Sequence, residues 1–241
     1  ACTMKTIRLL QLYPSEMNIY GDWGNALTLK RRLEWRGYKV ELLEHHPGAD
    51  FPIDVDLIVG GGGQDSGQDK IKDDLVKIGP NLKQLADDNV PMLMICGLYQ
   101  LFGRFFQTHK GEKIEGIGMF KLETYGGPKR LIGNVVTKSD DFGEIVGYEN
   151  HSGLTQLDED QASLGTVIKG DGNNGEDGTE GARYKNVIGS YLHGSLLPKN
   201  PKLADFLIEK AIEKKYGKVD LQPVEDELVK NARTVAKNRP R

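Results

Sequence analysis

The chain contains only two cysteines, Cys2 and Cys96, among its 241 residues. So few cysteines exclude a disulfide framework and favour a reducing compartment, so we expect a cytoplasmic protein. The sequence also has no run of about 18 apolar residues, and no membrane span is therefore expected. Cys2 falls in residues 1–3, ahead of Met4, and we expect these residues to be an added or frayed end.

Other absences narrow the function. The formal net charge is −3, and without a basic excess nucleic acid is not expected as the main partner. Neither a Gly-x-x-x-x-Gly-Lys-Ser/Thr loop nor a complete Gly-x-Gly-x-x-Gly is present, so no nucleotide site is predicted. The glycine-rich stretch 170–182 resembles a calcium loop only superficially. Glu176 and Ala182 replace the glycine and glutamate that such a loop needs, and we expect an exposed hairpin loop without metal.

Apolar runs alternate with helical patterns in the first half of the chain. This alternation predicts an α/β fold with a mainly parallel central sheet flanked by helices. We expect a single domain over 1–241, with helices at 201–216 and 224–237 in its C-terminal part, and short strands after residue 114. The predicted strands of the first half are 7–13, 39–43, 56–59 and the run ending at Cys96, and the predicted helices are 26–36, 69–78 and 81–88.

The segment Pro91–Gln100 carries the strongest chemical signal. Its apolar run ends at Cys96, and Gly97 and a helix-like stretch follow. This pattern predicts a strand that turns sharply into a helix, with a thiol at the sheet edge beside the positive helix end. Both conditions favour a thiolate nucleophile. The alternative is a buried core cysteine, since free Cys packs as a small hydrophobe.

A cysteine nucleophile needs a base, usually histidine. His193 directly follows an apolar strand and is the first candidate, and His151 is the second. His45 and His46 adjoin a loop proline, and we expect both to be solvated. His109 lies in a polar stretch and is expected to be exposed. For each histidine, a structural hydrogen-bonding role remains the alternative.

Four consecutive glycines, Gly60–Gly63, follow the third predicted strand. Glycines permit close approach of the backbone to a ligand. An oxyanion hole needs two convergent N–H groups. Gly62 or Gly63 is the candidate for one, and Gly97 for the other. The alternative is a permissive turn that binds nothing.

These motifs together resemble class I glutamine amidotransferases, most closely the cobyric acid synthase-like branch. The stretch Ile95–Gly103 resembles their nucleophile elbow, and Tyr191–Gly194 their catalytic histidine motif. The stretch Gly147–Gly153 resembles a Gly-Tyr-Glu-x-His-x-Gly segment, and Asp56–Gly63 resembles the oxyanion strand. The stretch Asn18–Asn25 narrows the resemblance to glutaminase subunits that work with a Mur ligase-like synthetase. The resemblance implies a flavodoxin-like architecture.

The resemblance also implies an activity and roles for particular residues. Cys96 would attack the side-chain amide of L-glutamine, ammonia would leave, and water would hydrolyse the thioester. His193 would move the protons in both steps. The implied glutamine contacts are Gln100 and Arg130, and the residues expected to shape the site are Tyr148, Glu149 and His151.

A partner is implied because amide formation requires an activated carboxylate. The expected partner is a Mur ligase-like synthetase subunit that binds ATP and Mg²⁺, and this chain is expected to need no cofactor. By resemblance, the acceptor is the α-carboxyl of D-glutamate in lipid II, a peptidoglycan precursor. The alternatives are a stand-alone γ-glutamyl hydrolase and a catalytically degenerate scaffold subunit.

The sequence departs from the family pattern in two places. Met94 and Leu98 stand where glycines are usual, which predicts a less tight elbow. Ser195 stands two residues after His193, where many class I enzymes place a glutamate. Either Cys96 and His193 act as a dyad or another acid orients the histidine. We expect the partner ligase to supply that acid or to lock the histidine.

Overall fold

The computed structural model describes residues 3–18, 22–63, 65–193, 195–224 and 227–240, so Cys2 lies outside the described residues. The strands are β1 Thr6–Leu12, β2 Lys39–His45, β3 Leu57–Gly60, β4 Met92–Ile95, β5 Phe105–Gln107, β6 Lys113–Glu115, β7 Leu122–Ser139, β8 Gly143–Leu157, β9 Gly165–Lys169, β10 Thr179–Glu180, β11 Ala182–Tyr184 and β12 Val187–Ser190. The helices are α1 Gly24–Trp35, α2 Asp65–Asp87, α3 Gly97–Leu101, α4 Leu196–Lys199, α5 Pro201–Tyr216 and α6 Glu227–Asn238.

The central sheet has the strand order β11-β12-β4-β3-β1-β2. All neighbouring strands are parallel except the pair β11–β12. This confirms the prediction of a mainly parallel sheet in an α/β fold. The carboxyl ends of β1, β3, β4 and β12 lie at one edge of the sheet. In sheets of this kind ligands bind beyond that edge.

The two central strands, β3 and β4, carry no polar side chain. All four residues of β4 are buried, as are Leu57, Ile58 and Val59 in β3. A parallel strand covered by helices on both faces has no polar face, which explains why these runs do not alternate. The sequence signal for the sheet therefore came from short apolar runs bounded by loops.

A second, mainly antiparallel sheet follows, with the strand order β10-β9-β7-β5-β6 and β8 paired to β7. The short strand expected near 134–136 is part of β7, which has 18 residues and forms a long hairpin with β8. A register shift lies between Gly126 and Leu131. A bulge of this kind bends a strand and redirects its side chains. Arg130 lies in this bulge.

The prediction of two helices at 69–78 and 81–88 is wrong. One helix, α2, spans this whole stretch with Pro80 inside it. Proline removes the hydrogen bond to the carbonyl of Val76, one turn earlier. Both Pro80 and Val76 are exposed, so water can solvate that carbonyl. The buried side chains of Ile71, Leu75, Ile78 and Leu82 hold the helix against the core on both sides of the proline.

The two C-terminal helices pack in different places: α5 packs on the main core, and α6 packs on β7 and β8. The helix α5 has the predicted bounds 201–216, whereas α6 begins at Glu227 rather than near Val224. Ala236 of α6 forms a small apolar cluster with Val136 of β7 and Val146 of β8. The helix α5 instead contributes Leu203, Leu207, Ile208 and Ile212 to the main core.

A charged clamp joins α1 to α5. Arg32 donates two hydrogen bonds to Asp205, at 2.8 and 2.9 Å, and Arg36 donates a third at 2.9 Å. Burial alone would raise the pKa of Asp205, but the hydrogen bonds from the two guanidinium groups lower that pKa below its usual range. The clamp fixes the C-terminal end of α1 against α5.

We expect Asp205→Asn to lower the free energy of unfolding by about 3 kcal/mol at neutral pH, because Arg32 would keep a buried charge without its partner. The lowered pKa of Asp205 means that this stability is present at pH values above the unfolded value of about 3.9 and is lost as pH falls below it. Urea unfolding at pH 7 and pH 3 tests this, with the exposed Asp50→Asn as control. Equal stability of Asp205→Asn and wild type at pH 7 would contradict it.

Candidate active site

The nucleophile elbow is sharply bent at Cys96. Its backbone has φ 50° and ψ −104°, a conformation that is strained for a residue with a side chain. Hydrogen bonds on both sides hold it: Cys96 N donates to Ser190 O at 2.8 Å, and Gln100 N donates to Cys96 O at 2.9 Å. The thiol thus lies between the end of β4 and the start of α3, and Cys96 is 9% exposed. Strain of this kind concentrates at functional sites.

The elbow is tight although Met94 and Leu98 replace the usual glycines. The space they need comes from Gly60 on the neighbouring strand. A Cβ atom at Gly60 would lie 2.4 Å from Leu98 Cδ1 and 3.0 Å from Met94 Sδ. The expectation of a looser elbow is therefore wrong, because a glycine in β3 compensates for the larger side chains.

His193 is fully buried beside the elbow. Its backbone N–H donates to Tyr148 O at 2.7 Å, which ties the end of the central sheet to β8. Its Nδ1 lies 3.2 Å from both carboxylate oxygens of Asp22. The expectation that the partner ligase supplies the acid is therefore wrong, whereas the alternative, that the partner locks the histidine, stays a prediction. Asp22 of this chain occupies the position beside the histidine, and it comes from the segment after β1.

The surroundings of His193 favour its protonated form. Burial opposes the charge on His193, but the Cys96 thiolate and the Asp22 carboxylate, each through its charge and a hydrogen bond, outweigh burial and raise the pKa of His193 to about 10. The ordinary histidine value is about 6.5. Because folding raises the pKa of His193, the stability that this histidine contributes is complete at pH values below its unfolded pKa of about 6.5. That stability is lost as pH rises through its folded pKa of about 10.

In the glycine segment, Gly60–Gly63, Gly63 lies close to the elbow, whereas Gly62 contacts the acid Asp22. Gly62 N–H donates to Asp22 Oδ2 at 2.9 Å, so this N–H orients the acid, which is at odds with its predicted oxyanion role. A Cβ atom at Gly97 would lie 3.2 Å from Gly63 N. The backbone N–H groups of Gly63 and Gly97 therefore remain the candidate oxyanion donors.

Gln100 uses both ends of its side-chain amide inside the protein. Its Oε1 accepts from Gln68 Nε2 at 2.9 Å, and its Nε2 donates to the hydroxyl of Tyr191 at 3.0 Å. The Tyr191 hydroxyl also lies 2.6 Å from Thr155 Oγ1. Gln100 is 5% exposed. This geometry favours a role in holding the elbow, while its predicted contact with glutamine remains untested.

Glu149 and His151 lie behind the site. Each carboxylate oxygen of Glu149 accepts a backbone hydrogen bond, from Asp171 N at 2.9 Å and Gly172 N at 2.8 Å. His151 donates from Nδ1 to Gly153 O at 2.8 Å, and its ring stacks on Tyr191 at 3.6 Å. These contacts fix the orientation of both side chains, and their role in shaping the site stays a prediction.

Arg130 is exposed and is held by Asn150. Its Nε donates to Asn150 Oδ1 at 2.8 Å, and Nη2 donates to Asn150 O at 3.3 Å. Asn150 stands between Glu149 and His151 in β8, so the guanidinium of Arg130 is fixed against the strand that carries these two residues. A fixed guanidinium fork suits recognition of a carboxylate.

Sequence reasoning missed Asp22, Gln68 and Glu180. Asp22 had a usable signal, because it follows the first strand and the carboxyl ends of parallel strands share an edge. Glu180 had none. It accepts from Tyr191 N at 2.8 Å and Ser190 Oγ at 3.1 Å, and burial raises its pKa to about 7.

The other histidines lie outside this group. The expectation that His45 is solvated is wrong: it is fully buried, with Nε2 2.8 Å from Asp74 Oδ2. His46 is partly exposed and His109 is exposed, as expected. Residues 170–178 form the expected hairpin loop between β9 and β10. The expectation of an exposed loop over the whole stretch 170–182 is wrong, because residues 179–180 form β10, Ala182 begins β11, and only residues 175–177 are exposed.

Within the described ranges, no group of three His, Cys, Asp or Glu side chains is arranged to hold a metal ion. A search of the same ranges finds no helix long and apolar enough to cross a membrane.

Comparison with known proteins shows the family of this chain. A family model for the CobB/CobQ-like glutamine amidotransferase domain matches residues 8–201. The fold is similar to the glutaminase domain of a CTPS from Trypanosoma brucei with bound acivicin, with a TM-score of 0.56, 11% identity, and coverage of 90% of this chain and 96% of that one. The chain belongs to the CobB/CobQ-like glutamine amidotransferases.

Two relatives extend over nearly the whole chain. Both are named as subunit GatD of lipid II isoglutaminyl synthase (glutamine-hydrolyzing). The protein from Staphylococcus aureus is 38% identical over 96% of this chain and 95% of its own length. The protein from Streptococcus pneumoniae is 39% identical over 92% of this chain and 87% of its own length. Within its family, this chain is therefore GatD-like.

We expect Asp22→Asn to lower kcat for glutamine hydrolysis by roughly 10²-fold or more, because the His193 imidazolium loses the carboxylate that orients it. Both contributions of Asp22 raise the pKa of His193. Their loss should therefore shift the alkaline limb of kcat/KM to lower pH. The measurement is a pH–rate profile. Ser195→Ala is the control, because Ser195 stands where many class I enzymes place a glutamate. This variant should keep the alkaline limb of kcat/KM at the wild-type pH. An unmoved limb in Asp22→Asn would contradict the assignment.

Proposed function

We propose that this chain is a glutaminase subunit that hydrolyses L-glutamine and delivers ammonia to a Mur ligase-like synthetase of the MurT type. The observation that carries the proposal is the strained Cys96 elbow beside the buried pair of His193 and Asp22. A thiol, an imidazole and a carboxylate in this order form the set that acyl transfer through a thioester requires.

In the first half-reaction, the Cys96 thiolate attacks the side-chain carbonyl carbon of glutamine. The negative charge that develops on the carbonyl oxygen is stabilised by N–H groups of Gly63 and Gly97. His193, protonated in the resting pair, gives its proton to the amide nitrogen. The C–N bond then breaks, ammonia leaves, and a γ-glutamyl thioester to Cys96 remains.

In the second half-reaction, His193 is neutral and accepts a proton from water. The resulting hydroxide equivalent attacks the thioester carbonyl, and the same N–H groups stabilise the second oxyanion. The C–S bond breaks, glutamate leaves, and the thiolate–imidazolium pair is restored. One glutamine and one water thus give one glutamate and one ammonia. Asp22 fixes the imidazole orientation throughout.

Glutamine recognition requires groups for its α-carboxylate and α-ammonium. Arg130 is the candidate for the carboxylate, because Asn150 already fixes its guanidinium on the strand that carries Glu149 and His151. Such fixation reduces the side-chain entropy that is lost on binding. Tyr148, Glu149 and His151 shape the surrounding wall.

The relatives named GatD support the assignment to lipid II amidation. The acceptor is then the α-carboxyl of D-glutamate in the stem peptide of lipid II. ATP and Mg²⁺ belong to the synthetase, which works with this chain in the cytoplasm. Because Asp22 completes the acid–base set within this chain, hydrolysis itself does not require the partner.

We expect the chain alone to hydrolyse glutamine, and the complex with its synthetase to transfer the amide nitrogen to lipid II. With glutamine labelled by ¹⁵N at its amide, the label should enter lipid II even when unlabelled ammonium is present. Mass spectrometry of the product measures this. Cys96→Ala is the blank and should lose hydrolysis by roughly 10⁴-fold or more, while the complex still uses free ammonium.

The rival functions give different results. A stand-alone γ-glutamyl hydrolase would release all label as free ammonia and would form no stable complex. A degenerate scaffold subunit would hydrolyse no glutamine, and the complex would depend on ammonium. Either result would contradict the proposal.

We expect Arg130→Ala to raise the KM for glutamine by roughly tenfold or more with a smaller change in kcat, since a charge-assisted contact of this kind contributes about 1.5–3 kcal/mol. Steady-state kinetics measure both constants. Lys129→Ala removes the neighbouring exposed cation and is the matched control. If the two variants raise KM equally, Arg130 contributes only general positive charge and the specific contact is refuted.

A further inference from the structure

Met17 is buried against the glycines that surround the elbow, although it lies in a loop rather than in a strand or helix. Its side chain is 1% exposed. A Cβ atom at Gly97 would lie 2.6 Å from Met17 Cε, and one at Gly63 would lie 2.6 Å from Met17 Sδ. One at Gly67 would lie 3.3 Å from the same sulfur. The thioether therefore fills a cradle that only glycines leave open.

The two candidate oxyanion donors lie next to each other at this cradle, because a Cβ atom at Gly97 would lie 3.2 Å from Gly63 N. Gly63 follows β3, and Gly97 begins α3. The parallel pairing of β3 with β4 ends at Gly60 and Met94, so it includes neither donor. Met17 contacts both glycines, so its side chain supports the position of both donors. Removal of the side chain would leave a cavity, and neighbouring backbone relaxes toward such cavities only in part.

We propose that Met17 is a positioning residue of the reaction, a buried side chain that packs against Gly63 and Gly97 and holds their N–H groups in the relative position that the oxyanion requires. The inference rests on the proposed glutaminase function. It assigns Met17 no contact with the reacting atoms. Its effect is on the two donors that contact the oxyanion.

The turn that carries Met17 is held in place by hydrogen bonds around Tyr13, His45 and Asp74. Tyr13, which follows β1, adopts φ 52° and donates from its hydroxyl to Asp74 Oδ2 at 2.5 Å. Asp74 also contacts His45 Nε2 at 2.8 Å and accepts from Gly48 N at 2.9 Å. Met17 N donates to Tyr13 O at 2.8 Å. The Tyr13 anchor, defined as Tyr13, His45 and Asp74, thus fixes the turn that carries Met17.

The same segment reaches the catalytic acid. A Cβ atom at Gly61 would lie 2.8 Å from Met17 O and 2.7 Å from Asp22 Cβ. The loop after β1 therefore presses on the glycine segment at two neighbouring points, once through Met17 and once through Asp22. This arrangement predicts that the oxyanion donors and the acid are positioned by one loop.

The test compares Met17→Ala with Met17→Leu in the chain bound to its synthetase. Met17→Ala should lower kcat for glutamine by roughly tenfold or more, a part of the roughly 10²-fold cost of losing a donor, with KM unchanged. Met17→Leu keeps the volume and should retain most of the activity. Alkylation of Cys96 by iodoacetamide, measured on the Cys96 peptide by mass spectrometry, forms no oxyanion and should keep its wild-type rate in both variants.

Two further variants separate positioning from general stability. Met92→Ala truncates an equally buried methionine at the amino end of β4, and it should lower stability without a selective loss of kcat. Tyr13→Phe removes only the hydroxyl that binds Asp74, and it should reproduce the kcat loss on a smaller scale. It also keeps the proposal testable if Met17→Ala does not fold.

Three outcomes would overturn the proposal. A rise in kcat would mean that Met17 obstructs glutamine. Equal losses in turnover and in alkylation would mean that the elbow itself collapses. A loss of stability without a loss of kcat would mean that Met17 is only a residue of the hydrophobic core. Failure of the proposed function is distinct, because wild-type chain with its partner would then hydrolyse no glutamine.

Discussion

The contact between Asp22 and His193 connects parts of the chain that are far apart in sequence. Asp22 follows β1 and His193 follows β12, and their side chains meet at 3.2 Å at the carboxyl edge of the central sheet. Gly62 N–H donates to the same carboxylate, so the glycine segment is fixed by the group that orients the base. The positions of the acid, the base and the oxyanion strand therefore depend on one buried carboxylate.

The location of this acid has a topological reason. Parallel strands place their carboxyl ends side by side, so a loop after β1 reaches the same edge as a histidine after β12. Ser195 then has no need to be acidic. Many class I enzymes place the acid on the same segment as the histidine, whereas this chain places it on another strand end. In this chain the carboxylate lies at Nδ1 of His193.

The sequence predicted the sheet edge, the elbow and the histidine because each depends on local pattern. An apolar run that ends in Cys96-Gly97 is visible in the sequence, and so is a strand that ends shortly before His193. Asp22, Gln68 and Glu180 depend on contacts between distant segments, and no periodicity marks them. The error at Pro80 has a different origin: tertiary contacts of Ile78 and Leu82 override the local cost of proline. The error at His45 arose because Asp74, its buried partner, lies on α2.

The elbow accommodates Met94 and Leu98 because glycines on neighbouring elements allow close approach at the site. Gly60 makes room for Leu98, and Gly63 and Gly97 make room for Met17. Where the family pattern has glycines within the motif, this chain has Met94 and Leu98, and Gly60 on the adjacent strand β3 provides the space for them. Glycine requirements in such a site therefore belong to the set of contacting elements rather than to one motif.

The most direct test of the central claim is an NMR titration of His193 in the resting protein, with ¹⁵N-labelled histidine. The account predicts that the imidazole is protonated at neutral pH and titrates near pH 10, because the Cys96 thiolate and Asp22 together outweigh burial. Alkylation of Cys96 should lower that value, since it removes the thiolate. A neutral imidazole at pH 7, with the ordinary pKa of about 6.5, would contradict the thiolate–imidazolium pair and the role given to Asp22.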